Sequence, residues 1–300
     1  MRIATCIFND QAHLAVVQDD SVFIPSLSES MENQWQADTN SMLQLIDKGT
    51  ESLHLLREAV AKAESSQWIS LSKVELLSPI PRPRQNIMCL GWNYTEHVEE
   101  TAGKALEAPK LPKYPIVFTK AASSMNGPYA DIPVDLEVSD KMDWEVELAV
   151  IIGKTGQKIP KAQALDHVFG YSIINDVSAR DTQKRHKQFF VGKSFTGACP
   201  MGPWIVTADE IPNPQVLDLK SSVNGELKQD SNTKYQIFDV ASVIETLSQG
   251  MTLEAGDIIA TGTPSGVGYV RNPPEYLLPG DVVECEIEGI GKISNPIVPK

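Results

Sequence analysis

The chain has 300 residues, 42% of them hydrophobic, which is enough to bury a sizeable core without disulfide or metal staples. Its formal net charge is −13 and no run of Lys and Arg stands out, so the basic footprint that nucleic acid or an anionic membrane surface requires is absent. Cys6, Cys89, Cys199 and Cys285 are scattered without a CxxC pair, the N-terminus MRIATCIFND lacks a signal pattern, and apolar stretches such as LAVIIG at 148–153 are too short to span a bilayer; the expectation is a cytoplasmic protein with reduced thiols.

In chain order, RIATCIF, HLAVVQ and SVFIPSL read as short strands, and apolar spacing of three and four predicts helices over Ser41–Lys48 and Ser52–Ala63. The Pro-rich, charged PIPRPRQN at 79–86 marks a boundary, dividing a small N-terminal α+β domain, 1–78, from a larger domain, 79–300. Beyond it, NIMCLGW, PIVFTK, WEVELAVIIG, VFGYSIIND, WIVTA, LKSSVNGEL, DIIATG and DVVECEIEG read as strands, with helices after Asn93 and around Val240–Gln249. Strand and long helix do not alternate regularly, so the expected class is mixed β with few helices, α+β, and not a doubly wound sheet.

Five short motifs could carry chemistry. In a strand, Glu145 and Glu147 of DWEVEL share one face, and two carboxylates that close repel unless a cation neutralises them. An exposed polar strand face is the commoner meaning of ExE, but the following AVIIG points into a core, where unpaired carboxylates are costly. Asp176, at the end of VFGYSIIND, could add a third carboxylate, while Arg180 and Gln183 could donate to a substrate carboxylate; Asp and Ser here also suit a helix cap. Lys193 lies between Gly192 and Ser194 but lacks the preceding glycine of a phosphate loop, and most lysines are simply surface residues. Asn93 and Glu96 resemble a capping box, and His97 and Glu100 share a helical face, either as a general-base pair or as a solvated surface pair. GTPSGVG at 262–268 is a glycine-rich turn that could expose backbone N–H groups.

Together the pieces GWNYTEHVEE, PIVFTK, DWEVELAVIIGK, HVFGYSIINDVSARDTQ, GKSFTGACPMGPW and GDIIATGTPSGVG resemble the fumarylacetoacetate hydrolase family over about residues 80–295, in its acylpyruvase and oxaloacetate decarboxylase branch. The resemblance implies the family's β-roll, usually a homodimer, with Mg²⁺ or Mn²⁺ held by Glu145, Glu147 and Asp176. It assigns Lys120, Arg180, Gln183 and Thr263 to substrate binding, and His97, Glu100 and Lys193 to catalysis. The implied reaction is C–C cleavage of a small anionic 2-oxo acid, by oxaloacetate decarboxylation or acylpyruvate hydrolysis, through a metal-stabilised pyruvate enolate. The competing expectation is an isomerase or tautomerase of oxaloacetate or a hydroxymuconate-type acid on the same metal site. In so acidic a chain, local cations must draw the substrate in, and the site itself is expected to be cationic.

Overall fold

The computed structural model describes residues 1–27, 41–102 and 111–300. Its centre is the antiparallel strand pair Val146–Ile152 and Val168–Asn175, in register from Val146 opposite Asn175 to Ile151 opposite Gly170. Every residue of both strands is buried, which is why the two runs read as nearly unbroken apolar sequence. Side-chain alternation, broken once at Phe169 where the register shifts between Ile151 and Ile152, decides which core each residue joins. Leu148, Val150, Tyr171 and Ile173 join the cluster under helix Val240–Ser248, whereas Ala149, Ile151, Phe169 and Ile174 join the one that contains Leu45, Ile46 and Leu56.

On one side of the pair the sheet continues through Cys199–Thr207, Arg2–Phe8, Gln11–Gln18, Ser21–Phe23 and Trp68–Ser70. On the other side lie Ile258–Ala260, Ile87–Gly91 and Ile116–Lys120. Neighbours along this path are antiparallel except Ile258–Ala260 beside Ile87–Gly91. Arg2 pairs with Val206 and Ile3 with Ile205, so one sheet and one hydrophobic cluster join residues on both sides of position 78. A second sheet, ordered Glu226–Asn232, Asp218–Val223, Val282–Ile287, Gly291–Pro299 and Ile132–Val134, covers the first cluster with Leu219, Cys285, Ile287 and Ile293. The architecture is mixed β with few helices, as expected from the sequence.

Several elements differ from expectation for local reasons. LKSSVNGEL is a hairpin: Asn224 and Gly225 both take positive φ, 51° and 78°, the requirement of a tight two-residue turn. SVFIPSL leaves the sheet after Phe23 and forms a 3₁₀ turn over Pro25–Leu27, where the proline lacks a ladder donor. The two N-terminal helices, by contrast, are as expected: they lie end to end within Met42–Lys62 and are parted by a kink at Gly49, with φ 62° and ψ −138°, where the Ser52 hydroxyl donates to the carbonyls of Leu45 and Gly49. The start of the first, at Ser41, is a capping box with Gln44. Asn93 does not form the box expected with Glu96. Its amide donates to the carbonyls of Phe238 and Thr261 and its oxygen accepts from Phe238 N, which ties the start of helix Thr95–Ala102 to the sheet.

Candidate metal centre

The register of the central pair builds the acidic group. Val146 faces Asn175, so the next residues outward, Glu145 and Asp176, lie opposite one another, and Asp176 N donates to Glu145 O at 2.8 Å. Glu145 precedes the strand proper, but the ladder's geometry persists one residue beyond it. Opposed residues of an antiparallel pair share a face, and Glu147 is the diagonal neighbour on that face. The three carboxylates therefore converge, with one ligand oxygen from each within 4.8 Å of the others, and all three residues are buried.

Three buried cations answer them. Lys193 Nζ donates at 2.6 Å to both Glu145 Oε2 and Asp176 Oδ2. Lys120 Nζ donates to Asp176 Oδ1 at 2.7 Å and to Val177 O at 3.0 Å. Arg180 Nη2 lies 2.6 Å from Glu145 Oε1 as an ion pair without hydrogen-bond alignment. Arg180 Nε donates to Asp143 Oδ2 at 2.8 Å. Lys120, Arg180 and Lys193 thus face Asp143, Glu145, Glu147 and Asp176, one cation fewer than carboxylates. The expectation of a locally cationic site does not hold for these side chains alone.

The imbalance falls on Glu147. Burial, reinforced by Asp176 and Glu145, pushes its carboxyl well above the usual range. Its Oε2 accepts from Gly262 N at 2.8 Å, whereas its buried Oε1 has no hydrogen-bond partner. Glu145 is the opposite case: burial resists ionisation, but Lys193 and Arg180 overcome it and hold the carboxyl at about 2. Burial likewise disfavours the charge on Lys193, yet Asp176 and Glu145 raise its pKa above the ordinary lysine value. A buried, orphaned carboxylate oxygen at the convergence of three oxygen donors fits a hard divalent cation.

Local packing aims the surrounding groups. Gly192 lets the short helix Phe190–Lys193 press against helix Arg180–His186: a Cβ there would sit 2.6 Å from Gln183 N and 2.8 Å from Ala179 O. That approach brings Lys193 to the carboxylates. Gly262, at φ 92°, turns the chain so that its N–H reaches Glu147. Asp143, fully buried, accepts from Trp144 N, Gly268 N and Tyr269 N as well as from Arg180, and so fixes the guanidinium. The Tyr269 ring lies 4.4 Å from the guanidinium carbon. Burial raises the Tyr269 hydroxyl to about 12.

Above the carboxylates opens a cavity of about 300 Å³. His97, Glu145, Arg180, Gln183, Lys193 and Thr263 line it, which brings together six of the residues singled out in the sequence. Glu147 and Asp176 belong to the acidic group adjoining Glu145. Glu100 stands behind His97: its Oε1 is 2.7 Å from Nδ1 and its Oε2 accepts from Gly266 N at 2.8 Å. Ser265 Oγ donates to Glu96 at 3.2 Å, so this helix is anchored to the 262–268 turn by two carboxylates. Lys120, expected to bind substrate, is fully buried behind Asp176 and off the cavity wall; its contacts are to Asp176 and Val177. Sequence reading missed Asp143 as the anchor of Arg180, although it begins the quoted DWEVEL motif. It also missed Trp92, Phe118, Lys184, Lys187, Phe189 and Tyr269 on the wall, none of which carries a local signal.

Residues 86–298 match the model of the fumarylacetoacetate (FAA) hydrolase C-terminal family. The chain belongs to the fumarylacetoacetate hydrolase family and is an enzyme of it. It is 42% identical to the oxaloacetate tautomerase YisK of Bacillus subtilis, over 99% of this chain and 100% of that protein. Among solved structures, the fumarylacetoacetate hydrolase of Exiguobacterium antarcticum superposes with a TM-score of 0.84 at 40% identity, covering 100% of both chains. Maleylpyruvate hydrolase from Sphingobium sp. SYK-6, in complex with manganese(II) and pyruvate, superposes with a TM-score of 0.78 at 31% identity, covering 100% of this chain and 99% of that one.

Proposed function

We propose that this enzyme catalyses keto–enol proton transfer on a small 2-oxo acid, with oxaloacetate as the first substrate to test. The observation that carries the reading is the placement of the Glu100-oriented His97 on the same 300 Å³ cavity wall as Glu145, beside the acidic triad. Likeness over the whole chain to a protein named for oxaloacetate tautomerisation supports the choice of reaction. The proposed metal ligands are Glu145, Glu147 and Asp176, and the cation Mg²⁺ or Mn²⁺. When bound, such a cation supplies Lewis-acid polarisation of the 2-oxo group.

The chain's own groups do the rest. Arg180, held by Asp143, presents a guanidinium to the substrate's 1-carboxylate, with Gln183 and Thr263 completing that end. Lys193 keeps Glu145 and Asp176 in place and carries positive charge to the cavity floor. Glu100 fixes the orientation of His97, and the imidazole delivers a proton to substrate C3 while the enol oxygen releases its proton to water. In the reverse direction His97 removes the C3 proton. Lys120 orients Asp176 rather than touching substrate.

C–C cleavage of oxaloacetate or an acylpyruvate is the second reading. The same His97–Glu100 pair could activate water, and a structural neighbour with manganese and pyruvate bound is named a hydrolase. The sequence motifs favour cleavage, whereas whole-chain similarity to a protein named a tautomerase supports taking isomerisation as the first reading. We further propose cytoplasmic residence, a homodimer, no nucleic-acid or membrane partner, and an N-terminal unit, 1–78, that completes the sheet of the catalytic unit, 79–300. Among the described residues no helix is long and apolar enough to cross a membrane.

The test is to mix Mn²⁺-loaded enzyme with enol-oxaloacetate and follow the enol absorbance, carbon dioxide and pyruvate together. Enol loss faster than the buffer rate, without stoichiometric carbon dioxide, is expected. It should fall by about 10²–10⁴-fold in His97→Ala, the usual range for a general acid–base group. Unchanged turnover in His97→Ala would remove the dyad from the mechanism, and stoichiometric carbon dioxide would favour the cleavage reading.

A further inference from the structure

We propose that Lys184 and Lys187 form a second anion subsite at the cavity mouth, which makes the enzyme select 2-oxo acids carrying a second, distal carboxylate over monoanionic ones. The inference rests on the reading of the cavity as an oxo-acid site and adds a specificity device to it.

The cations at and beneath the floor of the cavity are each already paired with a carboxylate of the protein. Lys120, Arg180 and Lys193 are engaged with Asp143, Glu145 and Asp176, and Glu147 has no cation of its own. A bound divalent cation and the Arg180 guanidinium suffice for one carboxylate and one oxo group. A second carboxylate on the same ligand needs another partner, especially in a chain of net charge −13.

Helix Arg180–His186 and the residue that ends it supply that partner. Arg180, Gln183 and Lys184 line the cavity from one helical face, at spacings of three and four, and Lys187, where the backbone leaves the helix, lines it as well. Arg180 sits at the buried end and the two lysines at the exposed end. The neighbouring cation Arg185 is off this wall and faces Asp181 at 3.7 Å. Lys184 and Lys187, in contrast, have no carboxylate partner among the described residues; Lys184 Nζ lies 5.6 Å from the Tyr269 ring centroid. Two lysines on one cavity wall without an acid are anomalous on an acidic protein, and the wall they share with Trp92, Phe118 and Phe189 suits the carbon atoms between two carboxylates.

The backbone gives independent support. Lys187 ends the helix at φ 59°, in the left-handed region where glycine or asparagine is usual. A lysine there gives up backbone ease, and its side chain gains a place on the cavity wall. Local helix chemistry explains a cation near a helix C-terminus, but not the choice of this backbone position for one.

The experiment uses Mn²⁺-loaded full-length enzyme with oxaloacetate and with its 4-methyl ester, which differ in distal charge. The readout is the ratio of kcat/KM values for total substrate consumption. Wild type is expected to prefer the dianion. In Lys184→Met/Lys187→Met that preference should fall about tenfold, the combined effect of two partly exposed ion pairs. Lys184→Arg/Lys187→Arg should retain it, and raising the salt concentration should shrink the wild-type preference. An unchanged ratio in the double Met variant, with both substrates still consumed, overturns the subsite alone. If wild type consumes neither substrate, the oxo-acid reading and the subsite fall together.

Discussion

Replacing Asp143 by Asn tests the electrostatic frame of the site at a residue that takes no part in the proton transfer. The Asp143 carboxylate is fully buried and accepts four donors: Trp144 N at 2.8 Å, Gly268 N at 2.7 Å, Arg180 Nε at 2.8 Å and Tyr269 N at 3.1 Å. An Asn of the same shape offers one oxygen, so its NH₂ must face two donors. Either Arg180 Nε and one amide, or two amides, lose their acceptor. With about 1–3 kcal/mol for each buried group left unpaired, and an Arg180 charge now balanced by Glu145 alone, a loss of about 3–4 kcal/mol is expected. At an unfolding entropy near 2.1 cal/mol/K per residue over 300 residues, this lowers Tm by about 5–6 °C. Calorimetry reads that change. Steady-state kinetics with oxaloacetate should show a KM increase of about 30-fold, because a misaligned guanidinium weakens its carboxylate contact. Melting within 1 °C of wild type together with an unchanged KM would refute the claim that Asp143 positions Arg180.

Gly192→Ala inserts a methyl group against two backbone atoms, Gln183 N and Ala179 O, so the two short helices must separate. A destabilisation of about 1–3 kcal/mol is expected in chemical denaturation, with turnover reduced further as Lys193 withdraws; wild-type stability and turnover would show that the close approach is dispensable. Asp239→Ala removes the cap of helix Val240–Ser248, where Oδ1 accepts from Ser242 N at 2.7 Å, at a cost of about 1 kcal/mol. Burial resists ionisation of Asp239, but hydrogen bonds from Lys161 and Ser242 hold its pKa below the ordinary value. Its charge-linked contribution is therefore complete above about pH 4 and is lost as the pH falls through the depressed folded-state pKa. Denaturation midpoints of wild type and variant should converge on acidification, and a gap that widens would contradict the sign.

The core of the fold was legible because it follows from local pattern. WEVELAVIIG and VFGYSIIND are apolar enough to be central strands, and the positions of Glu145, Glu147 and Asp176 follow from pairing their acidic ends. The partner register, Val146 with Asn175, is a tertiary fact that no local spacing supplies. The pairing of Arg2 and Ile3 with Val206 and Ile205 is equally non-local. Asp143 was visible as a residue but not as an anchor, because its donors Gly268 and Tyr269 lie about 125 positions away and arrive through the 262–268 turn. Lys120 had a sequence signal that placed it at the site, yet only the buried contact with Asp176 shows that it stands behind the carboxylates. The Asn224-Gly225 turn was a local signal that was there to be read, and it splits what otherwise scans as one strand.

Mn²⁺ titration of Glu147→Gln, followed by electron paramagnetic resonance, tests the metal centre most directly. The amide keeps an oxygen for Gly262 N and breaks no ion pair, so the apo variant should fold at least as stably as wild type, since a buried carboxyl with an orphaned oxygen is replaced by a neutral group. Wild type should bind one Mn²⁺ per chain, and the variant should bind it more than about 100-fold more weakly, beyond the range typical of an outer-sphere partner. Equal Mn²⁺ affinity in a folded Glu147→Gln protein would mean that the three converging carboxylates do not hold the cation.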